Sequence, residues 1–315
     1  MARIAIATIA TIATIGALAL AGCAPTASDD DGRLRVVAST NVYGSIAESI
    51  GGDLVSVTSI ISSAAQDPHS YEASAQDQLA ISKADLVIEN GGGYDPFIDM
   101  LLEAASTDAV VLSASEASGL LEADHDHETE EHEADAGGHD GHDHIEGFNE
   151  HVWYSLHGIE HVAEELAHEL GELDPDNAAA FDENLDAFVA ELEQLETTVA
   201  EMSVDGLPVA ITEPVPSYLL EAVGFESTTP EEFSEAIEEG TDVAPAVLNE
   251  TLDTVGDASL LAYNSQTASA ETERVRLAAE SAGVPVVEFS ETMPDGEDYI
   301  SWMTANVSAI AAALQ

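Results

Sequence analysis

The stretch from Asn177 to Ser203 constrains the chain most, because it contains no proline and no glycine and carries a single apolar stripe. Phe181, Leu185, Phe188, Leu192, Leu195, Val199 and Met202 recur at alternating spacings of four and three, the signature of one amphipathic helix. At 1.5 Å per residue it extends roughly 40 Å, enough to lie across two lobes as a rigid spine. A dimeric coiled-coil seam would need more than the roughly three heptads available, so a monomer is expected. Before the stripe, β-branched runs at Val36 to Ser39, Leu54 to Ile61, Asp85 to Glu89 and Val110 to Ser113 alternate with helical patterns at Tyr43 to Ile50, Ser74 to Lys83 and Pro96 to Ala105. Helical residues 158–170 and an Asp174-Pro175 helix start lead into the stripe. After it, strand-like runs at Leu207 to Thr212, Leu260 to Asn264 and Val284 to Phe289 alternate with helices at Ser217 to Val223, Pro245 to Val255, Ala270 to Ala282 and Glu297 to Leu314. The expected fold is α/β, two lobes with parallel sheets joined by one long rigid helix. The acidic run from Pro230 to Gly240 reads as a surface helix or loop.

A length of 315 residues is long for one hydrophobic core, which agrees with two lobes. The 62 acidic residues face six basic ones, Arg3, Arg33, Arg35, Lys83, Arg274 and Arg276, for a formal charge of -56. Such a charge repels phosphate backbones, so no nucleic-acid partner is expected. It also suits a protein that works in high salt, an expectation that salt-independent stability would sink. The first 23 residues read as a targeting segment: Arg3 is a positive n-region, Ile4 to Leu20 an apolar h-region, and Leu20-Ala21-Gly22-Cys23 resembles a bacterial lipobox. Cys23 is the only cysteine, so a disulfide within the chain is excluded and a lipid anchor is the expected use of its thiol. The expected order is a lipoprotein signal at 1–23, a tether at 24–33, a first lobe at 34–172 with a histidine-rich loop at 122–147, a linking helix at 173–204 and a second lobe at 205–315.

Six of the eleven histidines, His125, His127, His132, His139, His142 and His144, alternate with carboxylates between Glu122 and Trp153. Imidazole and carboxylate together are ligands for divalent transition metals. With so few large apolar groups the segment reads as an accessory metal collector without a scaffold of its own. Scaffolded ligands are expected instead in loops beyond the carboxyl ends of strands. His69 in Asp67-Pro68-His69-Ser70-Tyr71-Glu72, Glu213 after the strand ending at Thr212, and Glu291 after the strand ending at Phe289 sit in such places. His151, ahead of apolar Val152 and Trp153, stands at the exit of the histidine-rich loop. Two imidazoles and two carboxylates, one pair from each lobe, can close a four-ligand site at the lobe interface. Tyr71 and Glu72 read as groups that orient the loop. His157 and His161 share a helix face at i and i+4, a spacing that can bind metal, and with His168 they read as surface groups. Trp302 and Tyr299 read as packing in the last helix. Gly91-Gly92-Gly93 matches no phosphate-binding fingerprint.

DPHSYE at 67–72, ISKADLVIENGGGYDPF at 81–97, the histidine-rich insert and EHVW at 150–153 together resemble the cluster A-I solute-binding proteins, the metal-binding lipoproteins of zinc and manganese ABC transporters. The resemblance spans essentially the whole mature chain. It implies two Rossmann-like lobes joined by a long helix, one metal ion between them, delivery to a membrane permease, and attachment to the outer face of the cell membrane. It places His69 and His151 at the two histidine positions of the family. Glu213 stands where many zinc-binding members carry a third histidine, and Glu291 stands at the acidic fourth position, with Glu288 and Asp295 close by. The Asp-Pro that usually follows HVW is replaced here by Tyr154-Ser155-Leu156, which leaves the support of His151 to other residues.

Zinc is the first expectation for the metal and manganese the second: the histidine-rich loop and the affinity order favour zinc, while two carboxylates harden the site toward manganese. A metal-dependent hydrolase is a different reading, but no HExxH motif, nucleophile elbow or phosphate loop is present. A surface adhesin or plain metal buffer is a third.

Overall fold

The computed structural model describes residues 32–63, 66, 68–69, 71–121, 145 and 147–315. Cys23 and the six loop histidines lie outside the described residues. Between Arg33 and Gln315 the chain forms one compact unit built on two parallel four-stranded sheets. The first contains β1 (Leu34–Thr40), β2 (Val55–Ile61), β3 (Leu86–Glu89) and β4 (Val110–Ser113) in the order β2-β1-β3-β4. The second contains β5 (Leu207–Ile211), β6 (Phe225–Ser227), β7 (Leu261–Asn264) and β8 (Val286–Phe289) in the order β6-β5-β7-β8. Each sheet therefore repeats one topology, and every strand points its carboxyl end the same way as its neighbours. The two-lobe α/β architecture expected from periodicity is present.

Helices α1 (Asn41–Gly51), α2 (Ala75–Ile81), α3 (Pro96–Ala105) and the short α4 (Ala114–Ala117) accompany the first sheet. The predicted capping box opens α2: Ser74 Oγ accepts from the amides of Gln76 and Asp77, while Asp77 Oδ2 accepts from the Ser74 amide at 2.7 Å. Next come α5 (Leu156–Leu173) and the spine α6 (Ala178–Met202). The helix expected to start at Asp174-Pro175 starts at Ala178 instead; residues 174–177 form the turn between α5 and α6, where the Asn177 amide donates to the Asp174 carbonyl. Along α6, Phe181, Phe188, Leu192, Leu195 and Val199 are buried, and Leu185 and Met202 pack against the same cluster. At 25 residues it is about 37 Å long. Cutting one of its buried phenylalanines back to alanine removes a core ring, a change worth about 3–5 kcal/mol.

The second sheet carries α7 (Ser217–Val223), α8 (Glu231–Glu238), α9 (Pro245–Thr254), α10 (Ala270–Ala282) and α11 (Tyr299–Ala313). The Pro230 to Gly240 run contains a surface helix, as its acidity suggests, with Glu231, Glu232 and Glu235 exposed, while its inner face buries Phe233, Ser234 and Ile237. The short strand β6, which feeds it, is an element that the sequence pattern did not show. One apolar cluster runs from Val36 in β1 through the spine to Ile310 in α11, so the lobes share a core. Polar bonds reinforce it. Asn41 Nδ2 donates to the Met293 carbonyl at 2.7 Å and its Oδ1 accepts from the Met293 amide at 3.1 Å. Tyr154 Oη donates to the Ser290 carbonyl at 2.8 Å, and Tyr299 Oη to the Trp153 carbonyl at 2.7 Å. Trp302 packs its ring 5.5 Å from that of Tyr154, so both last-helix aromatics serve packing. Among the described residues no helix is long and apolar enough to cross a membrane.

Candidate metal centre

The cleft between the sheets collects the loops that follow the strands. His69 comes from the loop after β2, and its side chain is 11% exposed. Tyr94 holds it in place: the two ring centroids lie 4.9 Å apart in an edge-to-face contact. Tyr94 is put there by Gly91 and Gly92, with φ of 71° and 66°, which lie in the left-handed region that favours glycine. A Cβ at Gly92 would meet Phe148 at 2.7 Å, and one at Gly91 would meet Ser113 at 2.5 Å, so the chain passes too close for any side chain. Beyond His69, the Tyr71 hydroxyl donates to Asp77 Oδ2 at 3.0 Å and its ring packs 4.9 Å from Phe97. Glu72 is exposed.

His151 is fully buried and lies 6.3 Å from His69, centroid to centroid. Its ring edges contact Tyr94 at 5.9 Å and Trp153 at 5.1 Å. Its Nδ1 lies 2.7 Å from Asn149 Oδ1. An amide oxygen only accepts, so Nδ1 carries the proton and Nε2 offers its lone pair to the cleft. Asn149 thus supplies the support that the absent Asp-Pro leaves open. It also donates from Nδ2 to the Pro214 carbonyl at 3.1 Å, next to Glu213, while its own carbonyl accepts from Tyr218 Oη at 2.8 Å. One residue therefore orients the histidine and ties it to the opposite lobe. Behind it, Asn90 donates from Nδ2 to the Glu150 carbonyl at 3.0 Å, and the buried Asp95 carboxylate accepts from the amides of Asn90 and Gly91 at 2.6 and 2.9 Å. Burial pushes the Asp95 carboxyl up to about 6 despite those amides.

The opposite wall is made of carboxylates. Glu213 is 2% exposed, and its Oε2 accepts from Thr267 Oγ1 at 2.5 Å. Glu291, also 2% exposed, accepts from Asn264 Nδ2 at 2.9 Å and from Tyr94 Oη at 3.3 Å. Gln266 Oε1 accepts from the backbone amide of Glu291, which sets the loop after β8. Glu288 and Asp295, the neighbours of Glu291 in sequence, are both exposed. The structure brings Glu291 to His69, with Oε2 3.8 Å from Nε2. It adds Glu238, the last residue of α8: Oε1 lies 3.6 Å from His151 Nε2, and one ligand atom each of His69, His151 and Glu238 fall within 4.8 Å of one another. Sequence reading missed Glu238 because its signal was one more glutamate in an acidic run. Phe233 and Ile237 at helical spacing on α8, which turn that run inward, were the available clue.

Burial raises the Glu238 carboxyl strongly, and the charges of Glu150, Glu213 and Glu291 raise it further. The same four groups make the cleft intensely electronegative, a field that a divalent cation relieves. Imidazole nitrogens from one wall and carboxylate oxygens from the other can chelate one transition-metal ion as cargo. His157 and His161 lie on α5 six and ten residues beyond His151, and His168 is exposed on the same helix.

A family model for the zinc-uptake complex component A, periplasmic, matches residues 36–313. The chain is 28% identical over 314 residues to the manganese-binding lipoprotein MntA of Halalkalibacterium halodurans, covering 95% of each. It is 26% identical over 321 residues to the manganese ABC transporter substrate-binding lipoprotein scaA of Streptococcus gordonii, covering 94% of each. Among solved structures, it superposes on the periplasmic zinc-binding protein TroA of Treponema pallidum with a TM-score of 0.68 at 21% identity, covering 90% of this chain and 99% of that one.

Proposed function

The chain belongs to the family of the zinc-uptake complex component A and is a metal-binding solute-binding component of an ABC transporter, not an enzyme; from that premise we propose that it carries one divalent ion, manganese ahead of zinc. His69, His151, Glu213 and Glu291 hold the ion, and Glu238 adds a third carboxylate. The observation that carries this reading is the meeting of His69, His151 and Glu238 within 4.8 Å beside a buried wall of glutamates. Three hard oxygen donors against two imidazoles favour manganese more than the two-and-two set expected from sequence. The names of the relatives MntA and scaA point the same way. Zinc is the second reading, favoured by the six-histidine segment and by its higher intrinsic affinity for nitrogen ligands.

The ion is captured outside the cytoplasm by a protein anchored through lipid on Cys23 and is passed to a membrane permease. The relatives are named as lipoproteins of such transporters, which supports both the anchor and the partner. The shared core and the Asn41, Tyr154 and Tyr299 bonds across the lobes argue against wide hinge opening, so release proceeds through rearrangement of the ligand loops. The deciding experiment is elemental analysis of mature protein purified without added metal, followed by competitive titration. Manganese retained from the cell and bound one to one supports the proposal; zinc retained in its place overturns the order of the two metals.

A further inference from the structure

We propose a second divalent-cation site on the solvent face of α5, formed by His157, Glu160 and His161 together with Glu196 of the spine. One ligand atom each of His157, Glu160 and Glu196 lie within 4.8 Å of one another. His157 Nδ1 stands 3.7 Å from Glu160 Oε2, and the His157 and His161 rings, one helical turn apart, have centroids 4.6 Å apart at an angle of 61°. Two imidazoles at i and i+4 on one helix face span a distance that a single ion bridges. Glu196 comes from a different helix, so the packing of α5 against α6 completes the group and helical periodicity alone does not explain it. The charges acting on the Glu196 carboxylate are those of Glu160, Glu193 and His157, and no lysine or arginine is among them. A plain surface ion pair would set a cation against this glutamate; the chain instead sets carboxylates and imidazoles there.

The donor set selects the ion. Two nitrogens and two carboxylate oxygens suit zinc, nickel or copper, and His157, with 72% of its side chain exposed, leaves the ion open to water and to exchange. The second site is therefore weaker than the buried cleft and turns over faster. It differs from the cleft also in its preference, since the harder manganese ion gains less from exposed imidazoles.

The test uses zinc as the probe on the full mature chain. Ions bound at equilibrium are counted for the wild type, for the doubly substituted His157→Ala/His161→Ala protein and for Glu196→Gln, and crystals soaked in zinc are examined for anomalous scattering. The expected result is an anomalous peak among the four side chains, one ion fewer in the double variant, and weakening by roughly tenfold or more in Glu196→Gln. His69→Ala should leave this peak in place while emptying the cleft, so failure of one site is distinguishable from failure of the other. No peak at this position, an unchanged ion count in the double variant, or full affinity in Glu196→Gln overturns the proposal. Because the three substituted side chains sit on helix surfaces, unchanged far-ultraviolet circular dichroism verifies that the fold is retained.

Discussion

The first-lobe wall of the cleft is aromatic and nitrogen-bearing, with His69 and His151 wedged among Tyr94 and Trp153. The second-lobe wall is a bank of glutamates held by Thr267, Asn264 and Gln266. Rings packed edge to face leave the imidazoles almost no freedom, so their geometry is set before a metal arrives. Carboxylates on short loops and at the end of α8 repel one another, and the repulsion that raises the Glu238 carboxyl is relieved by a proton or by a cation. In the proposed site the contrast assigns tasks: the nitrogen wall would supply preorganised affinity, and the oxygen wall would supply charge, hardness and a response to protons.

The largest effect should come from the nitrogen wall. His151→Ala or His69→Ala should weaken binding by roughly 100-fold or more, because losing a ligand costs more than losing its support. Isothermal titration checks this, and loss comparable to that of an oxygen-wall variant would break the contrast. Asn149→Ala should cost roughly 10- to 100-fold, since His151 would lose the acceptor that sets its tautomer. A shift in the pH dependence of binding would separate this role from simple loss of packing.

Glu238→Gln sharpens the oxygen side. It should reduce manganese affinity by about tenfold and zinc affinity by less, because the harder ion depends more on carboxylate. Equal losses for the two metals would reduce Glu238 to a source of charge.

A smaller effect concerns pH and the metal-free fold. Burial, with the charges of Asp95, Asp99 and Glu116, pushes the Glu89 carboxyl from 4.5 to about 8. The folded state then binds a proton that the unfolded state has released, so this contribution is complete below about 4.5 and is lost as pH rises toward 8. Asp95, raised to about 6, acts in the same direction. Thermal unfolding of metal-free protein should show a lower Tm at high pH, and Glu89→Gln should flatten that slope. The smallest effect is expected from deleting residues 124–144, which should change affinity at the cleft by less than about threefold, since the proposed ligands His69, His151, Glu213, Glu238 and Glu291 all lie outside that range. A loss equal to that of His151→Ala would move the binding site into the segment.

Local rules made the strands and helices legible. Period-2 and period-3.6 patterns identified seven of the eight strands and the spine, and the strand-end rule pointed to His69, Glu213 and Glu291. The missed strand, β6, has three residues, too few for a pattern to emerge, and missing it left α8 without a reason to turn inward. No residue after the HVW motif offers the family's Asp-Pro; Asn149 lies two residues before the histidine, and only its side-chain direction reveals the role.

The sequence by itself determined the two α/β lobes, the single long helix and the presence of residue types suited to a transition metal, because each depends on periodicity or on chemistry carried by neighbouring residues. Only the tertiary structure decided that Glu238 belongs with His69 and His151, that Tyr94 braces His69, and that Glu196 stands beside His157 and Glu160. Those pairings join residues far apart in the chain, and their distances follow from how the sheets and helices pack.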